Sequence, residues 1–306
     1  MNTDYKIRLE IFNWLQNQIE IYNEVLPWEI LSYGFNYSNE RVPLIGPQGI
    51  WKPQILSDYP ISITTSPESP YDDKFSDDGH FLSYKYRGTN PNHRDNIMMK
   101  KAMLNQIPLI YFIGLRKGWY FTVFPVYILE DNESELTFTV AAEDSQQINF
   151  KTLNEFDSNI DEALGLYKKR EYITVQVRQR LHQRSFRERV LAAYREQCAI
   201  CRLRHNVLLD AAHIIPDKEP EGEPVVSNGI SLCKIHHAAF DANILGITSD
   251  YIVKIRKDVL EEHDGPMLKH GLVELNGNLL YLPHKEIYRP NREYLEQRYQ
   301  KFKNVS

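Results

Sequence analysis

The sequence predicts an α+β protein of two domains, a mixed α/β domain over residues 1–165 and a metal-stabilised domain over 166–306. Three observations carry that prediction. A length of 306 residues suits two domains and is short for three. The first half opens with a helical stripe and continues as short apolar runs broken by turn residues. The second half holds all three cysteines, in short-spaced pairs. A hydrophobic content of 42% supplies apolar surface for two cores and excludes a disordered chain. No apolar run has the length of a membrane span, and Met1–Lys6 lacks the apolar centre of a signal peptide, so a cytoplasmic location is expected.

Taken in order, Ile7, Ile11, Leu15, Ile19 and Tyr22 recur at helical spacing, which predicts a helix through Tyr22. From Leu31 to Leu82, apolar stretches punctuated by Gly, Pro, Ser and Asp read as strands and turns. Residues 96–106 read as a short helix. Two aromatic-rich strands follow, Pro108–Leu115 and Tyr120–Leu129, joined by a hairpin at Arg116-Lys117-Gly118, and Leu136–Ala142 adds another. Mainly antiparallel pairing is expected, with Trp51 and Trp119 in the core. A charged, weakly apolar stretch from Gln146 to Lys169 places the domain boundary near 165. Beyond it, Lys254–Pro283 reads as strands and turns, and Asn291–Lys303 as a charged helix.

Charge is segregated. The chain carries a formal −5, yet the stretch from Lys168 to Arg204 contains eleven Lys or Arg against three acidic residues. A basic strip in an acidic protein fits a polyanion held along one surface, and it also fits a solvated helix face. Arg178, Arg180 and Arg184 lie at its centre.

The cysteines form Cys198-Ala-Ile-Cys201 and Cys233-Lys-Ile-His236. Two such pairs about thirty residues apart have the spacing of a tetrahedral zinc site with three thiolates and one imidazole. In a reducing compartment that spacing favours Zn2+ over a disulfide. Between the pairs run Leu209-Asp210-Ala211-Ala212-His213-Ile214-Ile215-Pro216 and Ser227-Asn228-Gly229-Ile230-Ser231-Leu232. His237-Ala-Ala-Phe-Asp241 follows the second pair. Over residues 186–251 these pieces resemble the HNH (ββα-metal) endonuclease superfamily. The resemblance implies that His213 sits on a strand of a β-hairpin, that Asn228 holds the intervening loop, and that His237 opens a helix and binds a catalytic metal.

The residue types suit phosphodiester hydrolysis, which needs a water deprotonated in line with the leaving oxygen and a cation at the phosphate. A neutral imidazole serves the first task, so His213 is the expected general base. His237 and Asp241, four apart on a helix, face one side and can share Mg2+ or Mn2+. Asn228 is expected to orient His213. Many relatives carry a ligand directly before the catalytic His, where this chain has Ala212. Asp210 is therefore a further candidate ligand.

In the front half, Gly46–Pro53, Tyr71-Asp72-Asp73 and Tyr84-Lys-Tyr-Arg-Gly-Thr-Asn90, followed by Asp95-Asn96, resemble the N-terminal domain of SRA-HNH restriction enzymes, over residues 28–130. The resemblance implies an SRA/PUA-like domain that binds double-stranded DNA and flips out a modified cytosine. A flipped base needs an aromatic face and a polar partner for its Watson–Crick edge. Tyr71 with Asp72 or Asp73 offers both. Tyr84, Tyr86, Arg87 and Asn90 are further candidates on the DNA side, and the alternating tyrosines also fit one face of a strand.

The expectation is a type IV-like, modification-dependent endonuclease reading 5-methyl- or 5-hydroxymethylcytosine. The alternatives are an HNH effector sensing another DNA mark or signal, and a DNA-binding protein that retains the zinc fold with weak catalysis. One base and one metal attack one strand at a time, so a homodimer is expected for double-strand cutting.

Overall fold

The computed structural model describes residues 3–67, 80–143, 160–263 and 265–305. The chain divides into two compact units, Met1–Leu181 and His182–Ser306.

In the first unit the opening stripe forms α1 (Thr3–Tyr22), followed by β1 (Val25–Pro27), α2 (Trp28–Tyr33), β2 (Phe35–Tyr37), β3 (Glu40–Val42), β4 (Ile50–Trp51) and β5 (Ser62–Thr65). Then come β6 (Leu82–Lys85), α3 (Arg94–Leu104), β7 (Leu109–Arg116), β8 (Trp119–Asn132) and β9 (Thr137–Ala142). The main sheet runs β4-β5-β7-β8-β9-β6, with β1 also on β8. Its pairs are antiparallel except β5–β7. The β7–β8 hairpin turns at Gly118, whose φ of 78° lies in the left-handed region that glycine enters without steric cost.

Side-chain alternation along β7 explains why this sheet is covered on both faces. Leu109, Tyr111 and Ile113 join a core with Met99 and Ala102 of α3. Ile110 and Phe112 join a second core with Ile7, Ile11, Phe12 and Leu15 of α1. Trp51 and Trp119 pack against these cores, as the sequence predicts.

Helix α4 (Ile160–Ala193) contributes to a core of each unit, through Val177 and Leu181 and then through Phe186, Val190 and Leu191. Composition placed the boundary near 165. The units divide within the helix instead, because its first apolar turns belong to the front core.

The second unit contains β10 (Leu209–His213), β11 (Gly229–Cys233), α5 (Lys234–Asp241), β12 (Leu245–Ile247) and β13 (Val253–Ile255). These are followed by α6 (Lys257–Leu260), α7 (Pro266–Gly271) and α8 (Arg292–Lys303). Strands were expected across Lys254–Pro283. Part of that stretch forms short helices instead, α7 starting on Pro266 at its first turn, where the missing N–H costs nothing. Asn291 caps α8 by accepting from the Glu293 N–H at 2.8 Å. Among the described residues no helix is long and apolar enough to cross a membrane.

Candidate functional site

The two cysteine pairs converge. Cys233 ends β11 at the N-cap of α5, so His236 falls in the first turn of that helix, and the Cys198–Cys201 turn closes on the pair. The four ligand atoms lie within 4.8 Å of one another. Cys201 Sγ is 3.9 Å from Cys233 Sγ, and His236 Nδ1 is 3.4 Å from Cys198 Sγ and 3.2 Å from Cys233 Sγ. A tetrahedral zinc ion sets sulfurs about 3.8 Å apart and sulfur about 3.5 Å from nitrogen, so the spacing fits. Hydrogen bonds from Cys198 and Cys201 hold the Cys233 thiol well below its ordinary range, which favours the thiolate a metal needs. His236 Nε2–H donates to the Gly271 carbonyl at 2.9 Å, leaving the Nδ1 lone pair for the ion. The group can therefore bind zinc.

On the same hairpin, His213 ends β10 opposite Gly229 of β11. Helix α5 follows β11 without a loop and carries His237 and Asp241, giving a β–β–α order. His213 is partly buried, its ring stacked on Phe186 with centroids 4.0 Å apart and 18° between planes. Its Nε2 is buried with no hydrogen-bond partner among the described residues. Burial, aided by the nearby charge of His237, holds the His213 pKa below its usual 6.5. His237 shifts the other way, raised chiefly by Asp210. Its Nδ1 faces Asp210 Oδ2 at 3.6 Å and its Nε2 faces Asp241 Oδ2 at 3.3 Å. Either gap matches a divalent ion with bonds of about 2.1 Å to nitrogen and oxygen. The two carboxylates lie against opposite ring nitrogens. Asp210 also faces Lys234 Nζ at 3.6 Å and Arg187 Nε at 3.7 Å, and its pKa is lowered, burial opposing these cations and His237.

Residues 198–248 match the family model of the HNH endonucleases. This segment is an HNH endonuclease domain. It makes the chain a DNA endonuclease, and the cysteine–histidine cluster lies within it. Two solved structures align loosely with parts of this chain. The modification-dependent restriction endonuclease TagI aligns over 80% of this chain and 82% of its own, at 14% identity and a TM-score of 0.29. The type IV phosphorothioation-dependent restriction endonuclease ScoMcrA aligns over 58% of this chain and 45% of its own, at 15% identity and a TM-score of 0.21. No curated protein matches the sequence.

Within the HNH domain, Asn228 is fully buried, and its side-chain hydrogen bonds go to the loop that follows His213. It accepts from the Ile215 N–H at 2.9 Å and donates to the Ile215 and Glu223 carbonyls at 3.1 and 3.0 Å. It clasps the loop that leaves His213.

In the front unit, Tyr71, Asp72 and Asp73 lie outside the described residues. Tyr84 and Tyr86, candidates on the DNA side, are instead buried in the front core, 5% and 7% exposed, as the strand-face alternative has it. Arg87 is ion-paired with buried Asp95, and its side chain is 38% exposed. Asn90 is exposed and shapes its own loop, accepting from the Asn92 N–H at 2.9 Å. Arg178, Arg180 and Arg184 lie on α4, Arg180 ion-paired with Glu24.

Sequence reasoning missed Phe186 and Arg187. Arg187 Nη2 donates to the Asn206 and Leu209 carbonyls at 2.8 and 3.0 Å, tying α4 to the start of β10. The only local signal was an aromatic residue inside the basic strip.

Proposed function

We propose that this chain is a modification-dependent restriction endonuclease of the type IV kind. Its front unit engages double-stranded DNA at 5-methyl- or 5-hydroxymethylcytosine, flipped from the helix, and its HNH domain hydrolyses the backbone. The observation that carries the nuclease half is geometric: His213 ends β10 with its buried Nε2 unpartnered among the described residues, and His237 on α5 is flanked by Asp210 and Asp241. On this reading His213 is the base and His237 stands on the metal side. The modified-base half rests on the resemblance of residues 28–130 to SRA domains, with Tyr71, Asp72 and Asp73 as the base-contacting group.

His213 takes the proton of the attacking water. His237 Nε2 and Asp241 would hold Mg2+ or Mn2+, which supplies positive charge to the scissile phosphate when bound. Asp210, opposite Nδ1, fixes the His237 ring from behind, and His237, Lys234 and Arg187 together lower that carboxylate's pKa against its burial. Asn228 holds the loop after His213. The four zinc ligands hold the end of the hairpin. Arg178 and Arg184 bind phosphates, and two chains act together, one on each strand.

The test is cleavage of unmodified, 5-methylcytosine and 5-hydroxymethylcytosine plasmids with Mg2+, Mn2+ or chelator. Cutting of modified plasmid alone is expected, lost in His213→Ala with DNA binding retained, and reduced to nicking when wild type and His213→Ala are mixed in dimers. Equal cutting of all plasmids removes the modified-base reading, and a fully active His213→Ala removes the mechanism.

A further inference from the structure

The orientation of His213 needs an agent. The last torsion of a histidine side chain has a broad minimum, so the ring direction is set by what touches it. Nε2 has no hydrogen-bond partner among the described residues. What the structure places against the ring is Phe186, 2% exposed, nearly parallel at 18° and 4.0 Å between centroids.

This contact is built from both sides. Gly229 is the register partner of His213, and a Cβ there would lie 2.8 Å from Phe186 Cζ and 2.4 Å from Val190 Cγ2. Neither distance is tolerable, so a residue without a side chain at 229 lets α4 seat Phe186 over the hairpin end. Next along α4, Arg187 bonds the Leu209 carbonyl at 3.0 Å and so pins the strand that carries His213 to the helix that carries Phe186. Phe186 lies outside the 198–248 segment that matches the HNH model.

From this geometry we infer that Phe186 is a positioning residue for the cleavage step, its flat face holding the His213 imidazole at the angle from which it receives the water proton. The inference rests on His213 being the general base. Leucine at 186 retains apolar volume and removes the flat face, so Phe186→Leu separates positioning from packing. In the full-length, zinc-loaded protein, Phe186→Leu is expected to keep zinc content and DNA affinity while kcat falls on the order of 10- to 100-fold with KM unchanged, the range that loss of reacting-group alignment produces. A second measurement stands apart from the variant. In wild-type protein with labelled histidine, the His213 ring protons are expected upfield of the other histidines, from the ring current of Phe186. That displacement is expected to vanish in Phe186→Leu. Phe186→Leu with kcat within about twofold of wild type, or a folded wild type with no upfield His213 signal, overturns the inference. His213→Ala distinguishes the two levels: if it still cuts, the general-base assignment falls; if it is inactive while Phe186→Leu is fully active, only the positioning role falls.

Discussion

Replacing Asn228 with alanine removes three hydrogen bonds from one fully buried side chain, and the size of the effect follows from which groups are orphaned. The Ile215 N–H and C=O lose their partners at 2.9 and 3.1 Å, and Ile215 is 1% exposed, so water cannot replace them. The Glu223 carbonyl, bonded at 3.0 Å, is only partly buried and regains solvent. Each buried unsatisfied group costs about 1–3 kcal/mol, and the two at Ile215 with a small void give about 3–6 kcal/mol. That is a large share of the roughly 5–15 kcal/mol that holds a domain together. A fall in Tm on the order of 10–20 °C is expected for the HNH domain. Asn228→Asp does not rescue it, because a carboxylate accepts from the Ile215 N–H but has no proton for the two carbonyls. Urea unfolding of the zinc-replete protein measures the loss, alongside single-turnover cleavage. If Asn228→Ala unfolds within about 1 kcal/mol of wild type yet cannot cleave, the side chain acts in the chemistry and the clasp argument fails.

Two further outcomes follow from the site. Because the His213 pKa lies below 6.5, its neutral form persists into mild acid, and the acid limb of the single-turnover rate at saturating DNA is expected below pH 6.5; a limb at or above that value contradicts the burial argument. The same depression means the unfolded chain binds the proton first, so this residue's contribution to stability declines as pH falls from 6.5 through the lower folded value. Cys198→Ser or Cys233→Ser is expected to unfold the HNH domain, since structural zinc supplies about 10–16 kcal/mol of apparent binding energy, while His237→Ala keeps its zinc. Elemental analysis finding no stoichiometric zinc in folded wild type would refute the four-ligand site.

Sequence legibility tracked how local each constraint is. Zinc ligands must fall at fixed short spacings because one ion fixes their separations, so Cys198, Cys201, Cys233 and His236 were readable as a group. The α1 stripe and the β7–β8 hairpin were readable because their periods and turn residues are local. Alternation placed Tyr84, on β6, and Tyr86, just past its end, on one face, but nothing local says which face is buried; their burial depends on the α3 and β9 residues of the same core. Helix α4 was obscured by its own charge, since an arginine-rich surface hides the stripe of Ile173, Val177 and Leu181. The Phe186–His213 contact joins residues 27 apart in sequence across two elements, and no periodicity within either one records it.

The same distinction accounts for the departure at Ala212. In the sequence, the lack of a ligand directly before His213 reads as a weakened metal site. In the fold, Ala212 is 0% exposed within the core of the HNH domain. Negative charge reaches His237 from two other places: Asp210, earlier on the same strand, at Nδ1, and Asp241, one turn along the helix, at Nε2. A lost neighbour and a displaced carboxylate look alike along a chain, but they differ in what surrounds His237. On the proposed reading Asp241 supplies the carboxylate on the metal side of His237, and Asp210, paired with Lys234 and Arg187, backs the other ring nitrogen. On that reading Ala212 alone does not argue for a domain that keeps its zinc fold and has lost catalysis.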